Sequence, residues 1–119
     1  MSGHVYWILA VEIKPGEYDN FIDLMTEMVA ATKADEPGAL NYEWSVSADK
    51  KSCHIFERYA DSDATLTHMK NFGTKFAKRF MGVLIPKSFT LYGDPTETVV
   101  NTISAMQPVV MERVGGFSR

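Results

Sequence analysis

The sequence has too few cysteine and histidine residues for a disulfide or a recognisable metal site. Cys53 is the only cysteine among 119 residues, which excludes an intramolecular disulfide. His4, His54 and His68 have no other histidine, cysteine or paired carboxylate at zinc-ligand spacing. Glycine-rich phosphate loops, nucleophile elbows and dinucleotide fingerprints are also missing. We therefore expect no metal, flavin or haem, and the commonest motif-bearing enzyme classes are excluded.

Long apolar stretches and basic runs are equally scarce. No apolar run approaches the ~20 residues that cross a bilayer, so no membrane association is expected. The first residues lack the basic and apolar regions of a signal peptide, which predicts a cytoplasmic location. The net charge is −3, and the twelve lysines and arginines form no long run. Nucleic acid is therefore not an expected partner.

Apolar and aromatic side chains, by contrast, are plentiful. Hydrophobic residues make up 45% of the chain and charged residues 23%, which is typical of a packed globular protein. A chain of this length fits one domain. We predict a single domain over residues 1–119, with its core at about 5–93 and a C-terminal extension at 94–119.

The hydrophobic pattern predicts the element order β-α-β-β-α-β. Alternation of side chains indicates strands, and apolar residues at helical spacing indicate two helices. The predicted strands are 6–13, 39–47, 52–59 and 86–93, with one helix from 17 to before Glu36 and another from about 62, which Gly73 and Gly82 interrupt or end. This order is that of the α+β, ferredoxin-like split βαβ fold, an antiparallel sheet with two helices on one face.

The extension has its own helix and strand signals. Asp94 as N-cap, Pro95 at the first helical position and Glu97 two residues later predict a short helix through Ala105. Residues 109–114 are predicted to form a last strand.

The hairpin between the second and third strands places one carboxylate on an aromatic face. If Ser47 pairs with Ser52, alternate residues share the face turned to the helices. That set comprises Val46, Trp44, Tyr42, Leu40, Cys53, Ile55, Glu57 and Tyr59. Glu57 is the exception on it, and such a carboxylate must find a partner or have its pKa raised by desolvation.

The second helix places one histidine on its apolar face. Its i, i+4 stripe consists of Ala64, His68, Phe72, Phe76 and Phe80. His68 is either a core histidine bonded to a carbonyl or a catalytic group, and Glu57 either a structural partner or a functional one. Because the strand passes directly into the helix near Asp61, we expect the two side chains to lie in one pocket.

The sheet face turned away from the helices needs a cover. It is predicted to hold Tyr6, Ile8, Phe56 and Ala39 among polar groups. A second copy packing sheet to sheet would form a homodimeric barrel. The alternative is that the C-terminal segment covers this face within one chain.

Three short stretches resemble a known family. They are EPGALNYEW at 36–44, ERYAD at 57–61, and the helix that leads from Ala64 to His68. In order and spacing they are similar to the antibiotic biosynthesis monooxygenase domain of the dimeric α/β-barrel superfamily, over about residues 5–93. The resemblance implies a barrel-forming homodimer with a pocket between helices and sheet, which oxidises phenolic or quinol substrates with O2 and without flavin or metal.

We hypothesise on this basis a cofactor-independent monooxygenase acting on a small aromatic substrate. His68 would be the base, and Glu57 would orient it or a tyrosine hydroxyl. The residues expected to enclose the substrate are Tyr42, Trp44, Tyr59, Phe72, Phe76 and Trp7. Two alternatives stay open: a non-oxidative isomerase or lyase that uses the same histidine and glutamate, and a non-catalytic binding or interaction module.

Overall fold

The computed structural model describes residues 3–119. Within them, strands and helices alternate in the order expected for the core, followed by a short helix, a 3₁₀ turn and a short strand. The elements are β1 (Val5–Ile13), α1 (Tyr18–Asp35), β2 (Ala39–Val46), β3 (Ser52–Tyr59), α2 (Ser62–Lys75), α3 (Ala77–Val83), β4 (Leu84–Gly93), α4 (Glu97–Thr102), the 3₁₀ turn (Ser104–Met106) and β5 (Val109–Val110).

The sheet has the order β2-β3-β1-β4-β5. The first four strands pair antiparallel, and β5 adds to β4 in parallel. Two split βαβ halves interleave in this way in the ferredoxin-like fold. The predicted α+β class, with a C-terminal extension of helix and strand, is confirmed.

One face of the sheet carries the core. Alternate residues of β1 are buried, from Val5 to Ile13, while those between them are half-buried or exposed. This alternation follows from the two-residue period of a strand. On the buried face the sheet packs against Phe21, Leu24 and Met28 of α1 and against Phe80 of α3.

The hairpin of β2 and β3 has a β-bulge, so its register differs from the predicted one at the end away from the turn. Pairing follows the prediction from Val46 with Cys53 through Tyr42 with Glu57, but Ala39, not Leu40, pairs with Tyr59. Leu40 is the extra, unpaired residue of the bulge, and its side chain turns outward and is 42% exposed. Ala39 packs against the core instead. Ala39 therefore does not belong to the open face.

Three predicted boundaries also differ. The second helix breaks at Phe76, which has a φ of −128°, and neither Gly73 nor Gly82 marks the break. Thr96 caps α4, since its hydroxyl accepts the N–H of Val99, whereas Asp94 lies before the helix and receives a bond from Arg113. The last strand is only two residues long.

The sheet face away from the helices remains open within one chain. Tyr6 and Tyr92 stack on it at 5.4 Å, and Ile8 pairs with Phe56 beside them. The C-terminal tail does not bury its apolar residues there, because Val114 is 100% exposed and Phe117 81%. No helix among residues 3–119 is long and apolar enough to cross a membrane.

Candidate active site

The structure brings His68 and Glu57 into direct contact. His68 Nε2 lies 3.1 Å from Oε1 of Glu57, and the hydroxyl of Tyr59 donates to the same oxygen at 2.6 Å. Only 5% of His68 and 4% of Glu57 are exposed. Among residues 3–119, no hydrogen bond reaches Oε2 of Glu57. This oxygen is therefore available to a ligand.

A second carboxylate completes the cluster. Oε1 of Glu36 lies 2.9 Å from His68 Nδ1, and Asn71 donates to its Oε2 at 3.2 Å. Glu36 is 7% exposed. Sequence analysis placed Glu36 at the end of a helix and at the start of the family-like stretch 36–44, but gave it no role in the site, because a glutamate before Pro-Gly is typical of a terminating turn. Its 32-residue separation from His68 gave no periodic signal that could have found it.

Local structure fixes the position of His68. The side chain of Asp61 accepts the N–H of Ala64 at 2.8 Å and so caps the start of α2. Because β3 ends at Tyr59, only two residues separate the strand that carries Glu57 from the helix that carries His68. The capped first turn then directs His68 toward the sheet.

Gly38 lets α2 approach the turn that carries Glu36. A Cβ atom added to Gly38 would lie 2.6 Å from the Cβ of Ala64. We expect Gly38→Ala to lower the free energy of unfolding by about 1–3 kcal/mol through overpacking. Adding Ala64→Gly should restore part of the loss, as measured by urea unfolding. A double variant no more stable than Gly38→Ala would contradict this steric explanation.

The two carboxylates keep His68 protonated near neutral pH. Burial by itself would lower the pKa of His68, but the charges and hydrogen bonds of Glu57 and Glu36 outweigh it and raise this pKa to about 9. For Glu36, burial acts to raise the pKa, and the contact with His68 overcomes it, so the pKa is lowered. Burial, reinforced by the charge of Glu57, raises the pKa of Tyr59, which therefore remains a hydrogen-bond donor.

The raised pKa of His68 predicts that stability depends on pH. The ordinary pKa is 6.5, so the stabilisation is fully present below that pH and is lost as the pH rises through about 9. The shift corresponds to a loss of about 3 kcal/mol in the free energy of unfolding. Chemical unfolding from pH 6 to pH 10 measures it. His68→Gln lacks the imidazole and should not show this loss between pH 6 and pH 10. If the free energy of unfolding of the wild-type protein were equally independent of pH, the assignment of a charged imidazole would be contradicted.

A small chamber of about 30 Å³ adjoins this cluster. It is walled by residues from the sheet, the helices and the extension: Trp7, Leu9, Met28, Tyr42, Ile55, Glu57, His68, Met69, Phe72, Phe80, Phe89 and Met106. Three of the six residues predicted to enclose a substrate, Trp7, Tyr42 and Phe72, are among them.

The other three predicted enclosing residues lie behind the wall or beside it. Tyr59 packs against His68 with ring centroids 5.0 Å apart, and Trp44 packs against Phe80. Phe76 borders a separate crevice between α1 and α2. Sequence analysis missed the three methionines of the wall, because an apolar side chain at core spacing carries no sign that it borders a cavity.

Trp7 adds a hydrogen-bond donor next to Glu57. The two residues are cross-strand partners, and Tyr42 pairs with Glu57 on its other side. Tyr42, Glu57 and Trp7 therefore form one row across β2, β3 and β1. The indole N–H of Trp7 is buried with no acceptor among residues 3–119, and a ligand oxygen in the chamber could supply one.

The cluster does not have the geometry of a metal site. A metal needs ligand atoms that converge on one point, but His68 lies between the carboxylates and uses one ring nitrogen for each. Within the described part of the chain, no group of three histidine, cysteine or acidic side chains could hold a metal ion.

Comparison with known structures shows which proteins share this fold. MupZ from Pseudomonas fluorescens has a TM-score of 0.86 at 20% identity, covering 98% of this chain and 94% of MupZ, so the likeness includes the extension. SnoaB from Streptomyces nogalater, a cofactor-independent oxygenase solved as a point mutant, has a TM-score of 0.65 at 17% identity, covering 76% of this chain and 92% of SnoaB. At these identities the likenesses show the fold.

A family model then identifies the family. The model of the antibiotic biosynthesis monooxygenase family matches residues 5–77. The chain belongs to this family, and the resemblance noted from its sequence is confirmed. No curated protein sequence matches it significantly.

Proposed function

We propose that the protein is a cofactor-independent monooxygenase that ionises a small phenol- or quinol-type substrate, whose anion then reacts with O2. The observation that carries the proposal is the buried Glu36–His68–Glu57 cluster at an aromatic-walled chamber. Membership of the monooxygenase family supports it, as does the fold shared with SnoaB, a cofactor-independent oxygenase.

The geometry favours Glu57 as the base, with His68 as its supporting cation. A histidine with both ring nitrogens bonded to carboxylates, and a pKa of about 9, has no free lone pair near pH 7. Glu57 instead has one oxygen without a partner among the described residues. This reverses the roles expected from the sequence, because Glu57 and the second carboxylate, Glu36, together hold the proton on the imidazole.

Deprotonation is the step that the cluster accelerates. A phenol has a pKa of about 10, so its ionisation at pH 7 costs about 4 kcal/mol. Glu57 accepts the hydroxyl proton, and the imidazolium of His68 stabilises the resulting anion. The electron-rich ring reduces O2: one oxygen atom replaces the single hydrogen of the reacting ring carbon to form a quinone. The other oxygen atom leaves as water, which carries that hydrogen and the hydroxyl proton.

An oxygen electrode tests the proposal. Metal-free protein should consume one O2 for each phenol or hydroxylated polycyclic substrate converted to quinone, and Glu57→Gln should lower that rate. Quinone formation that stops after metal removal would contradict the cofactor-free mechanism. Ligand binding without turnover across the substrate panel would support a binding module instead.

One observation favours a second candidate, a non-oxidative isomerase or lyase. The cluster offers a carboxylate base and an imidazolium acid within 3.1 Å of each other, a pair that can remove one proton and deliver another. A monooxygenase needs the base at the ionisation step, whereas an isomerase needs both groups. Turnover at an unchanged rate without O2 would select this candidate.

We also propose that a second copy covers the open sheet face. The stacked Tyr6 and Tyr92 and the pair Ile8 and Phe56 are available there, and the exposed apolar residues of the tail give a partner further contacts. Light scattering at low micromolar concentration should therefore give about twice 13.4 kDa. Phe56→Lys should shift the protein toward monomer, whereas Lys78→Glu on the helix side should not. A wild-type monomer at this concentration would refute the proposal.

A further inference from the structure

The chamber is too small for the substrate that the proposed function requires. A volume of about 30 Å³ is far below the roughly 150 Å³ of a protein cavity that binds benzene. An aromatic ring is several times larger. Part of the wall must therefore move before a ring can reach Glu57.

A larger groove lies directly outside one part of that wall. Its volume is about 330 Å³, and it shares Leu9, Phe89 and Met106 with the chamber. Pro86 and Lys87 of β4 and Gln107 of the extension form more of its surface. The shared residues make a partition between the chamber and this outer groove.

Met106 is the part of the partition that can move. Leu9 and Phe89 are buried cross-strand partners in the sheet, so neither can leave without disrupting it. Met106 is half-buried at the end of a three-residue 3₁₀ turn, and a thioether side chain adapts readily to different shapes. Gln107, which follows it, has a left-handed φ of 53°, a conformation that non-glycine residues seldom adopt.

The other opening beside His68 is a poorer route. The crevice between α1 and α2 has a volume of about 10 Å³ and is separated from the chamber by Met28, His68 and Phe72. A ring entering there would displace His68 and break its bonds to Glu36 and Glu57. Displacing the side chain of Met106 breaks no polar contact, because a thioether is at most a weak hydrogen-bond acceptor.

We propose that Met106 gates the chamber and that the outer groove binds the portion of the substrate that stays outside. The ligand class is an aromatic ring that carries an elongated substituent: the ring passes Met106 to reach Glu57, and the substituent lies along β4 beside Pro86. This inference rests on the proposed function for the ring, but the gate and the groove can be measured without turnover.

Fluorescence of Trp7 tests the gate. In a Trp44→Phe background, Trp7 is the only tryptophan and reports on the chamber wall. Truncation of Met106 to alanine removes side-chain volume from the partition and should raise quenching of Trp7 by acrylamide about twofold or more. The matched control is Met111→Ala on the exposed C-terminal segment, which should leave quenching unchanged. Equal quenching in the two variants would overturn the gate.

Binding of two simple probes tests the groove. Phenol and 4-hexylphenol share a ring, and only the second has a substituent that reaches outside. Calorimetry should show 4-hexylphenol binding at least about tenfold tighter, as expected for burial of several methylene groups. Ala105→Trp, which adds a bulky side chain at the exposed border of the groove, should abolish the difference without weakening phenol. Equal affinities for the two probes in the wild-type protein would contradict binding of the substituent in the groove. This result does not depend on whether the protein consumes O2.

Discussion

Replacing Glu57 with glutamine should lower turnover by about 10²–10⁴-fold, the usual contribution of a positioned acid–base group. Glutamine keeps the shape of the side chain but cannot accept the substrate proton. Steady-state rates measured from pH 5 to pH 9 give the effect, and circular dichroism on the same preparations checks the fold. The loss should appear mainly in kcat, because removal of the base affects the chemical step more than binding.

Glu43→Gln is the matched control for this change. Glu43 lies on β2 next to Tyr42, but it is exposed and turned to the opposite face of the sheet. It should retain the wild-type rate. If Glu57→Gln kept the wild-type rate as well, with its fold intact, Glu57 could not be the base, and the proposed mechanism would be wrong.

Replacing His68 with alanine should lower the free energy of unfolding by about 3–5 kcal/mol, as expected when one partner of a buried ion pair is removed. The change leaves Glu36 and Glu57 buried without the cation between them. In the wild-type protein the stabilisation by the charged imidazole disappears as the pH rises through about 9, so the loss should be smaller at pH 10 than at pH 8. Urea unfolding at the two pH values measures it.

His54→Ala separates this effect from the general cost of losing an imidazole. His54 is exposed on β3 and faces away from the helices. Its replacement should change the free energy of unfolding by less than about 0.5 kcal/mol. A loss in His68→Ala that did not depend on pH would indicate a packing defect and not an unpaired pair of carboxylates.

The position of Glu57 was predictable because side-chain direction in a strand is a local property. A period of two places Glu57 with Ile55 and Tyr59, and the cap at Asp61 starts the helix that carries His68. The bulge at Leu40 was not predictable, since it depends on how β2 meets β3 and has no glycine or other local sign. The cap of α4 was misplaced because Asp94 and Thr96 both suit an N-cap, and tertiary contacts, such as the bond from the Thr96 N–H to Ser62, decided between them.

The sequence by itself determined the order of strands and helices, the face on which Glu57 and His68 lie, and the family, because these follow from periodicity and short local motifs. Only the tertiary structure decided the charge of His68. Glu57 raises the pKa of His68 most, and Glu36 adds to this effect from a turn 32 residues away, so that the two carboxylates together hold the imidazole as a cation. The chamber is likewise a tertiary property, since its wall combines Trp7 near one end of the chain with Met106 near the other. Cavities arise where distant segments fail to fill space completely, which no local pattern encodes.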